Sequence, residues 1–235
     1  MRGKLSDAQR WGTALFVCLT AATVPASAQT VCVGRPSAGE LRDGQQLQPR
    51  PYLRIKHGSE ARTWGHGILL QLLSRGARAA ATAVPGSVAL VGDLSAPEGG
   101  PLAGHASHQA GRDADVAFLV SDSAGQPVVL EAFEAFAADG RSPTNSDHFF
   151  DAYRNWLMLR EWLSELRVVV THVFIAAELR QLLLDYGRQS PEFARYVPLA
   201  ARVLRPHSSH TEHFHVRIAC PTDQGGLCLN DSAGP

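Results

Sequence analysis

The 235-residue sequence offers no apolar run long enough to cross a bilayer once its first residues are set aside. The run nearest the N-terminus, WGTALFVCLTAATV, has fourteen residues, short of the ~20 that a spanning helix needs. It has no charge surplus of either sign: 22 Lys and Arg face 22 Asp and Glu. Without a basic field to hold a polyphosphate, nucleic acid is excluded as an expected partner. It has no internal repeat, long linker or low-complexity block, which leaves one domain rather than an array. Cysteine is sparse, at four residues, too few for a small disulfide-built scaffold.

What is present begins with a processing signal. Arg2, Lys4 and Arg10 precede the apolar run, and PASAQ closes it with small residues at Ala26 and Ala28. That order is the pattern of a secretory signal peptide over residues 1–28, cleaved after Ala28, and it predicts export to the periplasm with no membrane span left. The three remaining cysteines, Cys32, Cys220 and Cys228, then lie where disulfides are permitted. Cys220 and Cys228 are close enough in sequence to close a small loop, which leaves Cys32 as the odd one.

Residues 29–60, rich in Gly, Pro, Gln and Arg, show no sustained period and are expected to form an irregular arm, with the working domain at 61–235. Helical spacing appears in GHGILLQLLSRGARAAATAV, in DHFFDAYRNWLMLREWLSEL, in AELRQLLLDYG and between Pro191 and Leu204. In the second of these, Phe149, Tyr153, Trp156, Leu163 and Leu166 are predicted to share one stripe. Short β-branched runs, SVALVGDLS, DADVAFLV, RVVVTHVFIA and HFHVRIAC, read as strands. Segregated helices and short strands predict an α+β domain in which helices flank a small antiparallel sheet.

Two segments carry the chemistry. In HFHVRI, strand alternation sends Phe214, Val216 and Ile218 into a core and His213, His215 and Arg217 to the opposite face. In HASHQAGRDAD, His108 and Asp115 are seven apart, and Gly111 lets the chain fold back between them. Zinc takes imidazole nitrogen and carboxylate oxygen, and three protein ligands with an open fourth position mark catalytic rather than structural sites. Two ligands from the loop and one histidine from the last strand supply that set. Spacing does not choose between Asp113 and Asp115, or between His105 and His108. Arg217 faces the same cleft, as a grip for a substrate carboxylate or simply as a solvated strand-end residue.

GGPLAGHASHQAGRDADV together with HFHVRIACP resembles the penicillin-insensitive murein endopeptidases, zinc peptidases of the LAS group. That group also takes in lysostaphin-type and D-alanyl-D-alanine-cleaving enzymes. The shared pattern is a His, six residues, an Asp, and a distant His-x-His; here it is His108, Asp115 and His213-Phe214-His215. GSVALVGDLS, RNW and VFIA extend the similarity over most of residues 50–228. The resemblance implies His108, Asp115 and His215 as Zn2+ ligands, with His105 also at the metal centre. It implies His213 as a hydrogen-bond donor or proton shuttle and His210 as a further active-site histidine. Relatives that cleave D-alanyl-D-alanine place a general-base Glu three residues before the last ligand, the position of Glu212. On a strand that offset faces away, so Glu212 serves only if the chain turns there. The resemblance also implies a Cys220–Cys228 disulfide.

The implied activity is hydrolysis of D-alanyl–meso-diaminopimelyl crosslinks in peptidoglycan by a metal-activated water, without the serine nucleophile that penicillin acylates. The alternatives are a D,D-carboxypeptidase or dipeptidase of the same group, and a non-catalytic wall-binding protein on the same fold. His57, His66 and His172 fall outside the pattern and are read as structural. Asp147 and His148 are available as extra ligands but have no clear match.

Overall fold

The structure, a computed structural model, describes residues 29–230; the expected leader, residues 1–28, lies outside them. The chain opens with β1 (Val31–Arg35) and β2 (Ala38–Arg42), an antiparallel hairpin turning at Pro36 and Ser37. Then come β3 (Gln45–Gln46), β4 (Leu53–Ile55), β5 (Trp64–Gly65), helix α1 (Gly67–Ala83) and β6 (Ala89–Val91). After β7 (Asp113–Ala117) the short strands β8 (Val120–Ser121), β9 (Pro127–Val128) and β10 (Phe149–Phe150) form a small sheet of their own. The chain ends with α2 (Ala152–Leu163), β11 (Val170–Ile175), α3 (Ala177–Gln189), α4 (Val197–Val203), β12 (Leu204–Pro206) and β13 (His213–Ile218).

The main sheet has six strands in the order β12-β11-β13-β7-β6-β4. Its centre is antiparallel as expected, but both outer pairs, β11 with β12 and β4 with β6, are parallel. The helices account for this, because parallel neighbours need a long crossover. The chain between β4 and β6 carries α1, and that between β11 and β12 carries α3 and α4.

One face of the sheet is packed. Phe214, Val216 and Ile218 of β13 are completely buried, with Val173 and Ile175 of β11 and Ala114 and Val116 of β7 beside them. The helices bring Leu69, Leu72, Leu73, Trp156, Leu159, Leu179 and Leu183 into the same core. α1 and α2 approach closely at Gly76, where a Cβ would come within 2.5 Å of Trp162 Nε1. Among the RNW residues, Asn155 accepts from Leu119 N–H and donates to Leu119 C=O, each at 2.9 Å, standing in for a strand partner. Arg154, fully buried, donates to Val120 C=O at 2.6 Å and pairs with Asp151. RNW is therefore a structural element.

Four expectations need correction. The arm of residues 29–60 is not irregular: it supplies the β1–β2 hairpin and the sheet-edge strand β4. The disulfide joins Cys32 to Cys228, not Cys220 to Cys228. The C-terminal segment runs alongside β1, with Gly34 N–H donating to Leu227 C=O and Leu229 N–H to Gly34 C=O, both at 2.8 Å. That pairing sets Cys228 opposite β1, and Cys220 stays close enough for all three sulfurs to lie within 4.8 Å of one another. α2 is shorter than its periodicity predicts. The Asp151 side chain caps its start by accepting from Arg154 N–H at 2.8 Å. Phe149 therefore belongs to β10, and Leu166, beyond the helix end, is 98% exposed. The stretch from Pro191 to Leu204 is helical only in a 3-10 turn and α4, and Leu204 itself starts β12.

Candidate active site

The open face of the sheet carries the polar residues. β13 and β7 lie side by side with His215 opposite Asp115 and Arg217 opposite Asp113. Residues directly opposite share a face, so the last strand's histidines meet the aspartates of the loop-to-strand segment. His105 and His108 descend onto them from the loop before β7. That loop folds back at Gly111 (φ +66°), where a Cβ would lie 2.6 Å from Leu41 Cδ1. His108 itself adopts φ +70°, a left-handed conformation unusual for a residue with a Cβ. Its backbone N–H donates to Asp113 Oδ2 at 3.2 Å, which offsets the strain.

The two aspartates differ in what each faces. Asp115 Oδ1 lies 3.4 Å from His108 Nε2, 3.6 Å from His213 Nε2 and 3.8 Å from His215 Nδ1. Its Oδ2 lies 3.7 Å from His105 Nδ1. Asp113 is directed elsewhere: its Oδ1 accepts from His215 Nε2 at 2.9 Å and from Arg217 Nε at 2.6 Å. Arg217 is thus engaged by the protein rather than simply solvated.

His108 Nε2, Asp115 Oδ1 and His213 Nδ1 are buried in this cluster without a hydrogen-bond partner. His108 places its other ring nitrogen 2.6 Å from Leu94 C=O. With the Nδ1 proton donated there, the Nε2 lone pair is directed at Asp115. Two lone-pair atoms held 3.4 Å apart repel unless a proton or a cation lies between them. Ligand atoms at about 2.0–2.1 Å from one tetrahedral ion are about 3.3 Å apart, so the donors are spaced to hold a metal. His105, His108 and Asp115 offer ligand atoms within 4.8 Å of one another, and His213 and His215 close the other side.

Charge follows the same arrangement. Burial opposes the charged form of His108, but the Asp115 carboxylate outweighs it and lifts the pKa to about 9. Burial also works against both aspartates, yet His108 beside Asp115, and His215 with Arg217 beside Asp113, hold them well below the usual carboxylate range. His215 is pushed down by burial in spite of Asp113. His210 is pushed down to about 3, first by burial and then by its neighbours His213, His215 and His207.

Apart from the buried Asp113, these groups line an open cleft of about 610 Å³, whose other walls include Ser37, Phe174 and His207. The His210 ring packs 4.9 Å from the His213 ring, and Phe133 stacks on His213 at 4.9 Å. Glu212 precedes β13, outside the strand, and faces the cleft with Oε1 at 3.5 Å from His213 Nδ1. The turn that Glu212 required is therefore present, and the His213 ring holds its carboxyl below the ordinary range.

The residues read as structural have that character. His66 caps α1 by accepting from Ile68 N–H, His172 stacks on Phe174, and His57 is exposed beside Glu60. His148 pairs with Glu134, Asp147 accepts from Ser123 N–H, and neither lines the cleft. Asp93 was not singled out by the sequence. It bonds His105 Nε2 at 2.8 Å and pairs with Arg62 at 3.0 Å, so it orients His105. The only sequence signal for it was its place at the end of the strand run SVALVGDLS.

A family model described as penicillin-insensitive murein endopeptidase matches residues 32–234. The chain is 30% identical to the penicillin-insensitive murein endopeptidase of Haemophilus influenzae over 209 residues, 86% of this chain and 68% of the relative. It is 28% identical to the Klebsiella pneumoniae protein of that name, over 91% of this chain and 74% of the relative. For the Escherichia coli protein the identity is 29%, over 85% and 69%. The chain belongs to the penicillin-insensitive murein endopeptidase family, and it is a peptidase.

Proposed function

We propose that this protein is an exported, zinc-dependent endopeptidase that hydrolyses D-alanyl–meso-diaminopimelyl crosslinks of peptidoglycan in the periplasm. One observation carries the reading: a buried carboxylate oxygen of Asp115, without a hydrogen-bond partner, is ringed by imidazole nitrogens at 3.4–3.8 Å in an open cleft. His108, Asp115 and His215 hold the zinc ion in this proposal, with His105 at its edge. When bound, zinc polarises the scissile carbonyl and lowers the pKa of water to about 7.

The remaining steps belong to the chain's own side chains. His210 stays uncharged at neutral pH, held so by burial and its histidine neighbours, and packs beside His213. His213, between His210 and Glu212, takes the proton of the attacking water and returns it to the leaving amine. Asp113 fixes the His215 ring through Nε2 and leaves Nδ1 directed at the site. The D-alanyl–diaminopimelyl preference is inferred from the family.

A second reading, D,D-carboxypeptidase, is favoured by one feature, Glu212 facing the cleft beside His213. Incubation with dimeric muropeptides and mass analysis of the products separates the two. Release of monomers supports the endopeptidase, loss of a terminal D-alanine alone supports the carboxypeptidase, and binding without cleavage overturns both.

A further inference from the structure

The sheet register sets four residues in one row across the open face. Asp115 on β7 is opposite His215 on β13, His215 is opposite Phe174 on β11, and Phe174 is opposite Arg205 on β12. The row starts at the histidine cluster and ends on the edge strand. Phe174 is its half-buried middle, with its ring 5.2 Å from His215 and 5.8 Å from His210. Arg205 is exposed, and among the described residues no acidic group pairs with it. A second guanidinium borders the same strip: Arg217, whose Cζ lies 5.9 Å from the Phe174 ring centre, is already held by Asp113.

An exposed guanidinium at the end of an apolar floor that leads to a peptidase centre is suited to one ligand chemistry, a carboxylate on an extended peptide. Adjacent strands are about 4.8 Å apart, so two strands separate His215 from Arg205 by about 10 Å, or roughly three residues of extended chain. We propose that Arg205, with Phe174 as the floor, forms a carboxylate subsite. It would grip a free side carboxylate of the substrate's stem peptide about three residues from the scissile amide, and so distinguish free from amidated stems. The proposal rests on the peptidase reading of the neighbouring site and adds a preference within its substrates.

The test uses an uncrosslinked tetrapeptide stem, which the enzyme has no crosslink to cut, prepared with its side carboxylates free or as primary amides. Calorimetric binding to the intact protein is expected to favour the free form by about tenfold. Arg205→Ala should bring the two affinities together, Arg205→Lys should restore part of the preference, and Arg78→Ala, on the exposed side of α1, should leave the preference in place. Equal affinities in the parent protein, or an undiminished preference in Arg205→Ala, overturn the subsite. A parallel digestion of crosslinked dimers tests the underlying reading separately. No cleavage with the binding preference intact leaves the subsite standing without the hydrolase. Cleavage without the preference does the reverse.

Discussion

Asp113 holds His215 through an Oδ1–Nε2 hydrogen bond of 2.9 Å while its other oxygen accepts the His108 backbone N–H. One completely buried carboxylate thus sets the ring orientation of one proposed ligand and the backbone of another. Outer partners of this kind usually change metal affinity about 10–100-fold when lost. Asp113→Asn is therefore expected to weaken zinc binding by that factor, measured by competition against a chromophoric chelator. Asp113→Ala should weaken it further by stranding Arg217. Parent-like affinity in both would make Asp113 merely a partner of Arg217.

The raised pKa of His108 makes the response to metal depend on pH. In the metal-free protein the His108–Asp115 pair contributes stability that is fully present below the unfolded pKa of 6.5 and is lost as pH rises through about 9. A cation competes with that proton for the same nitrogen. The difference in Tm between zinc-loaded and chelated protein should therefore grow from pH 6 to pH 9. A difference that shrinks over this window contradicts the assignment of His108 as a ligand.

His210 behaves in the opposite sense. Its folded pKa is depressed to about 3 from 6.5, so unfolding takes up a proton at acid pH. Its contribution is complete above 6.5 and is lost as pH falls toward 3. Urea midpoints measured from pH 7 to pH 4 should fall less steeply in His210→Gln than in the parent.

What the sequence disclosed and what it hid have different physical causes. β13 was legible because one side of the strand is a closed core and the other a polar cleft, so Phe214, Val216 and Ile218 alternate strictly with His213, His215 and Arg217. α1 and α3 were legible from apolar spacing. The β1–β2 hairpin was not, because a few alternating residues carry little signal and its C-terminal partner lies 196 residues away. Asp113 and Asp115 share a face, so periodicity could not rank them; only their three-dimensional neighbours separate them, Asp113 being held by His215 Nε2 and Arg217 while Asp115 Oδ1 faces His108 Nε2. Arg205 was invisible for the same reason, since its place beside Phe174 exists only in the sheet register.

The crosslink is a further point of test. Cys32–Cys228 closes a loop spanning nearly the whole domain, and losing such a bond typically costs about 2–5 kcal/mol. Non-reducing peptide mapping should find Cys32 joined to Cys228, and Cys32→Ser should lower Tm more than Cys220→Ser. The reverse order would restore the Cys220–Cys228 pairing.

The central claim is that the atoms around Asp115 Oδ1 hold zinc. Native mass spectrometry of the purified parent and of Asp115→Ala, each checked for fold by circular dichroism, tests it most directly. The account predicts at least one zinc per parent chain and at least one fewer in the folded variant. A metal-free parent after zinc loading, or a folded variant with its full complement of zinc, would contradict it.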